Sequence, residues 1–245
     1  EKITLMNILG HYKEAKSLIS NFKFHPWEGG EGKVVSQYLI CQLELAKQAI
    51  IDNSPEEALL YLSEAEKYPS NLGEGKLPGT QENDIHYLQG LAYLQLNENK
   101  KAQLLFEKAT HGNTEPYQAI FYNDPQPDKI FYQGLAWLQL GESSKAFKIF
   151  ERLIQFGEQH IEDNVSIDYF AVSLPDLLVF DIDLNQRNRI HCLYLMALGH
   201  LGLRKESSNR LEQYFNDILQ LDCNHQGAIV HKKMIFFLNN TIPVK

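Results

Sequence analysis

Apolar and polar residues follow one another along this chain with the three-to-four-residue period of amphipathic helices, and the helical pattern itself recurs. The segments YLQGLAYLQLNENKKAQLLFEKA (87–109) and FYQGLAWLQLGESSKAFKIFERL (131–153) superimpose without a gap. Gly90, Tyr93, Ala102, Phe106 and Ala109 answer to Gly134, Trp137, Ala146, Phe150 and Leu153. At these offsets a small residue and an aromatic share one face of a first helix, and Ala102, Phe106 and Ala109 share one face of a second. Small residues let two helices approach while aromatics fill the space between them, so the predicted unit is a helical hairpin.

The same register runs back through Ala46, Ala49, Ala58, Leu62 and Ala65, and then through Ala15, Ile19 and Phe22. Ala15, Ala58, Ala102 and Ala146 follow one another at steps of 43, 44 and 44 residues. A fifth copy is read in CLYLMALGHLGLRKESSNRLEQYF, with Leu195, Leu198, Ser207, Leu211 and Tyr214 in the corresponding places. Ser207 lies 61 residues beyond Ala146, so this step holds 17 residues more than a 44-residue one, assigned to an insertion over 161–185. The expected layout is five hairpins, at 1–25, 33–68, 83–111, 127–158 and 186–221. A closing amphipathic helix over 224–239 should cover the otherwise exposed apolar end.

This order of small, aromatic, small, aromatic and small residues resembles the tetratricopeptide repeat (TPR). The match is strongest over 83–110 and 127–155; in weaker copies Ala46 or Leu195 replaces the first-helix glycine and Ser207 the second-helix alanine. The resemblance implies an all-α fold: a right-handed α-α superhelix, or TPR-like solenoid, of about five hairpins with long inter-repeat connectors and a C-terminal capping helix. The motifs HPWEGGEGK, NLGEGKLPGTQENDIHY, YNDPQPDKIFYQGLA, IDYFAVSLPDLLVFDIDLNQRNR and ALGHLGL also resemble the C-terminal helical segment of large, poorly characterised bacterial proteins. The N-terminal portions of those proteins look like β-sandwich domains of sugar-active proteins. With Glu1 at its start, the chain is expected to be a domain of a longer protein.

A repeat of this type takes about 34 residues, so each step carries roughly ten more. They fall in the connectors HPWEGGEGK (25–33), YPSNLGEGKLPGTQEND (68–84) and GNTEPYQAIFYNDPQPD (112–128), which are rich in turn-forming residues. Insertions at equivalent points of a solenoid gather along one edge, often the binding edge. The two GEGK copies, 43 residues apart, are therefore expected side by side. They are not phosphate loops. Trp27 and Ser70 stand where the first glycine is required, Val34 and Leu77 stand where Ser or Thr is required, and Glu31 and Glu74 would repel the anion. The plainer role is a turn; Trp27, Glu31, Lys33, Glu74 and Lys76 are the residues that would meet a partner on this edge.

Other chemistry is thin. Asp181, Asp183 and Asn185 imitate the start of a calcium loop, but Gln186 and Cys192 replace its glycine and its closing glutamate, so a bend capped by Asn185 is expected. The histidines form no HExxH, and Ser173 lacks the GxSxG elbow and reads as a helix cap before Pro175. Asp84, Asp128, Asp163, Asp168 and Asp176 could supply an acid pair for glycosidic bonds, although capping and solvation explain loop acids more simply.

Net charge of −8, from 23 basic and 31 acidic residues, disfavours nucleic acid and anionic membrane as partners. Cys41, Cys192 and Cys223 lie far apart and form no CxxC pair, which points to a reducing, cytoplasmic setting. No apolar run approaches a membrane span and the N-terminus lacks signal-peptide order. Apolar surface is expected around Ile3, Leu5 and Ile8.

By the resemblance, the first helix of each hairpin lines a concave face. Its register should expose Asp84, Tyr87, Leu91 and Gln95, then Asp128, Phe131, Leu135 and Gln139, and in the fifth copy Arg189, Met196 and His200. Tyr87 and Phe131 could equally be core. The expected function is a non-catalytic interaction or scaffold module, without cofactor or metal, that binds a protein or a neighbouring domain of the same chain. The alternative is an accessory helical domain that contributes to a carbohydrate-binding or glycan-processing site of its parent enzyme.

Overall fold

The computed structural model describes residues 1–25, 27, 30–118, 126–166 and 183–241. The fold is all-α: the described residues form eleven α-helices, one 3₁₀ turn (Ser70–Leu72) and no strand. In chain order the helices are α1 Lys2–Ile8, α2 Tyr12–Asn21, α3 Lys33–Ile51, α4 Pro55–Ala65, α5 Asn83–Gln95 and α6 Asn99–Ala109. They continue as α7 Pro127–Gln139, α8 Ser143–His160, α9 Leu184–Leu203, α10 Ser208–Leu221 and α11 Gln226–Thr241.

Four hairpin turns share one construction. Gly10, Asn53, Asn97 and Gly141 each adopt a left-handed backbone conformation just past a first helix. The next residue's N–H then reaches back five residues: His11 to Met6, Ser54 to Ala49, Glu98 to Tyr93 and Glu142 to Trp137, at 2.8–2.9 Å. This closing bond satisfies a helix-end carbonyl, and Gly or Asn is what the left-handed position tolerates. In the fifth hairpin Arg204 takes the left-handed role, and its N–H bonds the His200 carbonyl.

Within the hairpins the small-to-aromatic fit is direct. A Cβ placed on Gly90 would lie 2.5 Å from the Phe106 ring, and the Phe150 ring fills the same space beside Gly134. Phe150 also occupies the place a side chain on Gly202 would need, which draws α9 tightly onto α8. The first helices α3, α5, α7 and α9 touch in succession, and each second helix packs against its own partner and the following first helix. One buried apolar cluster runs from Ala46 to Leu238, while Ile19, Val34, Val35, Tyr38 and Leu72 make a smaller one at the N-terminal end.

Two expectations are corrected. Ser207 is not the buried small residue of the fifth copy. It is exposed and caps α10, its side chain accepting the Arg210 N–H. The buried face is Leu211, Phe215 and Ile218, which repeats the spacing of Ala102, Phe106 and Ala109 four residues later than expected. The second correction concerns α11. It packs on α9 and α10 but also on α3, near the other end of the chain, so it lies along the inner face of the first helices as well as at the end of the stack. Ala228, His231, Met234, Ile235, Phe237 and Leu238 are its buried residues. Burying side chains such as Met234, Phe237 and Leu238 stabilises by about 1.5–3 kcal/mol each.

Candidate functional site on the inner helices

The inner face is an aromatic row built by consecutive first helices. Tyr87 on α5 lies 5.7 Å from Tyr132 on α7 between ring centroids, and Tyr132, Phe131 and Tyr194 on α9 converge on the His231 ring of α11 at 5.7–5.9 Å. These edge-on and tilted contacts suit aromatic quadrupoles. His231 Nδ1 lies 2.9 Å from both the Tyr194 hydroxyl and the Gly227 carbonyl, while Nε2 is buried without a partner. Burial, reinforced by the Lys47 ammonium, pushes His231 down to about 3, so the ring is neutral. The Tyr132 hydroxyl points at the Met234 sulfur, 3.8 Å away.

Beside this row runs a set of charges. Lys129 on α7 pairs with Asp84 at the start of α5, 2.5 Å apart, and the Asp84 side chain is 2% exposed. Burial alone would lower the Lys129 ammonium, but Asp84 and Asp128 beside it carry it above the ordinary lysine value. Burial raises Asp128, with Asp84 adding repulsion against the pull of Lys129. On α3, Glu44 pairs with Lys47, both nearly enclosed. The Tyr12 hydroxyl donates to Glu44 at 3.3 Å and itself accepts from Lys233 of α11 at 2.6 Å. Burial, then Glu44, raises the Tyr12 phenol far above its usual range. A relay of Lys233, Tyr12, Glu44 and Lys47 thus ties α11, α2 and α3 together. At the start of α11 Gln226 and Gln37 exchange amide bonds of 2.7 and 3.0 Å.

The expected concave residues are distributed differently. Tyr87, Leu91, Phe131 and Leu135 are buried core rather than an open surface, because neighbouring helices and α11 cover them. Asp84 is buried against Lys129, and Asp128 is partly buried next to both. Gln95 spans to α3 by donating to the Ile50 carbonyl at 2.8 Å. Gln139 is half-buried beside the Tyr87 hydroxyl, where its amide partly offsets the rise that burial imposes on the phenol. In the fifth copy Met196 faces Gly157 of α8, His200 stacks on Tyr214 at 4.5 Å, and exposed Arg189 approaches Glu162 at 3.7 Å. These three do not continue the row; Tyr194 does.

On the connector edge the two GEGK segments meet. The Glu74 carboxylate accepts the Gly32 N–H at 2.7 Å, just where α3 begins, so one loop caps the helix that follows the other. Its negative charge also suits the positive end of that helix. Asn71 holds the end of α2 through the Ile19 and Phe22 carbonyls, both at 2.9 Å. Lys76 bonds the Glu66 carbonyl and Glu82, at 3.1 and 2.6 Å. Glu31 and Lys33 are exposed, and Trp27, 49% exposed, lies across Gly30. Trp27, Phe24, Ile3, Leu5 and Ile8 help to line a cavity of about 820 Å³ that Lys33, Gln37 and Gln226 border. The apolar surface expected near Ile3, Leu5 and Ile8 is thus one wall of a cleft.

Asp183, not Asn185, caps α9, accepting the Asn185 and Gln186 N–H groups, while Asn185 accepts the Val165 N–H. Asp163 pairs with His160 at 2.6 Å. Asp168, Ser173, Pro175, Asp176 and Asp181 lie outside the described residues. Among the described residues no group of three or more His, Cys, Asp and Glu is arranged to hold a metal, and no helix is long and apolar enough to cross a membrane. Tyr12, Glu44, Lys47, Lys129, Tyr132, Tyr194, His231 and Lys233 were not among the expected site residues. Only Lys129 had a local signal, its place directly after Asp128. The face they build pairs Glu44 with Lys47 and Asp84 with Lys129, packs Tyr132 and Tyr194 edge-on against the His231 ring, and sets Lys233 over Tyr12. No protein family model matches the chain, and no solved structure matches it.

Proposed function

We propose that this chain is a TPR-like module, a right-handed superhelix of about five hairpins, whose role is non-catalytic binding of a protein partner or of a neighbouring domain of its own chain. One observation supports this above the rest: the face made by α3, α7 and α9 carries an amphipathic helix, α11, through aromatic, apolar and charged contacts drawn from distant parts of the chain. Helix-in-groove recognition uses the same ingredients. A cytoplasmic setting fits the three free thiols, two of them buried, with Cys41 and Cys192 pushed up to about 11 by burial.

The test is affinity capture with lysine cross-linking and mass spectrometry on the natural protein. A reproducible partner, or a domain of the same chain, should cross-link to the exposed Lys233 or to the connector residues Lys33 and Lys76. Capture of no partner, or cross-links confined to Lys100, Lys101 and Lys148 on the second helices, would overturn the proposal.

A further inference from the structure

We draw no further inference here: the strongest candidate, the apolar cleft of about 820 Å³ between α1 and the start of α3, lined by Ile3, Leu5, Ile8, Phe24 and Trp27 and bordered by the oppositely charged Glu1 and Lys33, carries nothing because nothing in the structure shows what covers it.

Discussion

Lys233, in the last helix, donates a 2.6 Å hydrogen bond to the hydroxyl of Tyr12, 221 residues earlier in the chain. The Lys233 ammonium also lies 5.0 Å from the centre of the Tyr12 ring. Because Tyr12 passes its own proton donor to Glu44, this contact fixes the end of the chain to its beginning through a charged relay. The inner face is therefore closed by the protein's own helix.

Gly90 is where the hairpin packing can be tested most locally. In Gly90→Ala the new methyl would sit 2.5 Å from the Phe106 ring, so overpacking should destabilise the fold by about 1–3 kcal/mol. Adding Phe106→Leu should recover part of that loss. Urea denaturation of the two variants against the natural protein measures both effects.

The register of α10 makes a second prediction. Phe215 is fully buried, so Phe215→Ala should cost about 3–5 kcal/mol, whereas Ser207→Ala removes only a helix cap and should cost about 0.5–2 kcal/mol. The reverse order in thermal or chemical melts would restore Ser207 to the buried position.

Glu74 should act as a structural bridge. Glu74→Ala leaves the Gly32 N–H without its acceptor and should destabilise by about 0.5–2 kcal/mol. Glu74→Gln keeps an acceptor oxygen without the charge and should fall between the two. Hydrogen exchange at the start of α3 should report the same ranking.

Acid should loosen the protein through His231. Its folded value is about 3 against 6.5 for the free side chain, so between those values the unfolded chain binds a proton that the native chain does not. Stability is therefore complete above about pH 6.5 and is lost as pH falls, by up to about 1.4 kcal/mol per unit from this group. Protonation would place a cation among the Tyr194 hydroxyl, the Gly227 carbonyl and three rings, with Lys47 opposing it and Glu44 and Asp84 partly favouring it. Burial lowers His86, His200 and His225 as well, which adds the same sign. His231→Gln should flatten the fall in denaturation midpoint between pH 7 and pH 4.5; an unchanged profile would contradict the assignment.

The hairpins were legible because Gly90 with Phe106 and Gly134 with Phe150 are adjacent-helix contacts whose spacing the helical period sets. The meeting of the GEGK segments was legible for the same reason, since equal steps put equivalent loops side by side. The fifth copy slipped because Ser207 and Leu211 are one helical turn apart and fit the period equally; the choice belongs to the Ser207 cap. The site was mostly illegible. A stripe such as Ala228, His231, Met234 and Leu238 says that one face of α11 is covered, but not by what. Tyr12, Glu44 and Lys47 gain their partners only through contacts between distant segments.

The central claim is that α11 lies along the inner face with its lysine on Tyr12, and a double-mutant cycle on Tyr12→Phe and Lys233→Met tests it directly. From equilibrium urea unfolding of the four proteins, the account predicts a coupling energy of about 0.5–3 kcal/mol, as for residues in contact. Additive losses, with coupling below about 0.3 kcal/mol, would place α11 away from Tyr12 and contradict it.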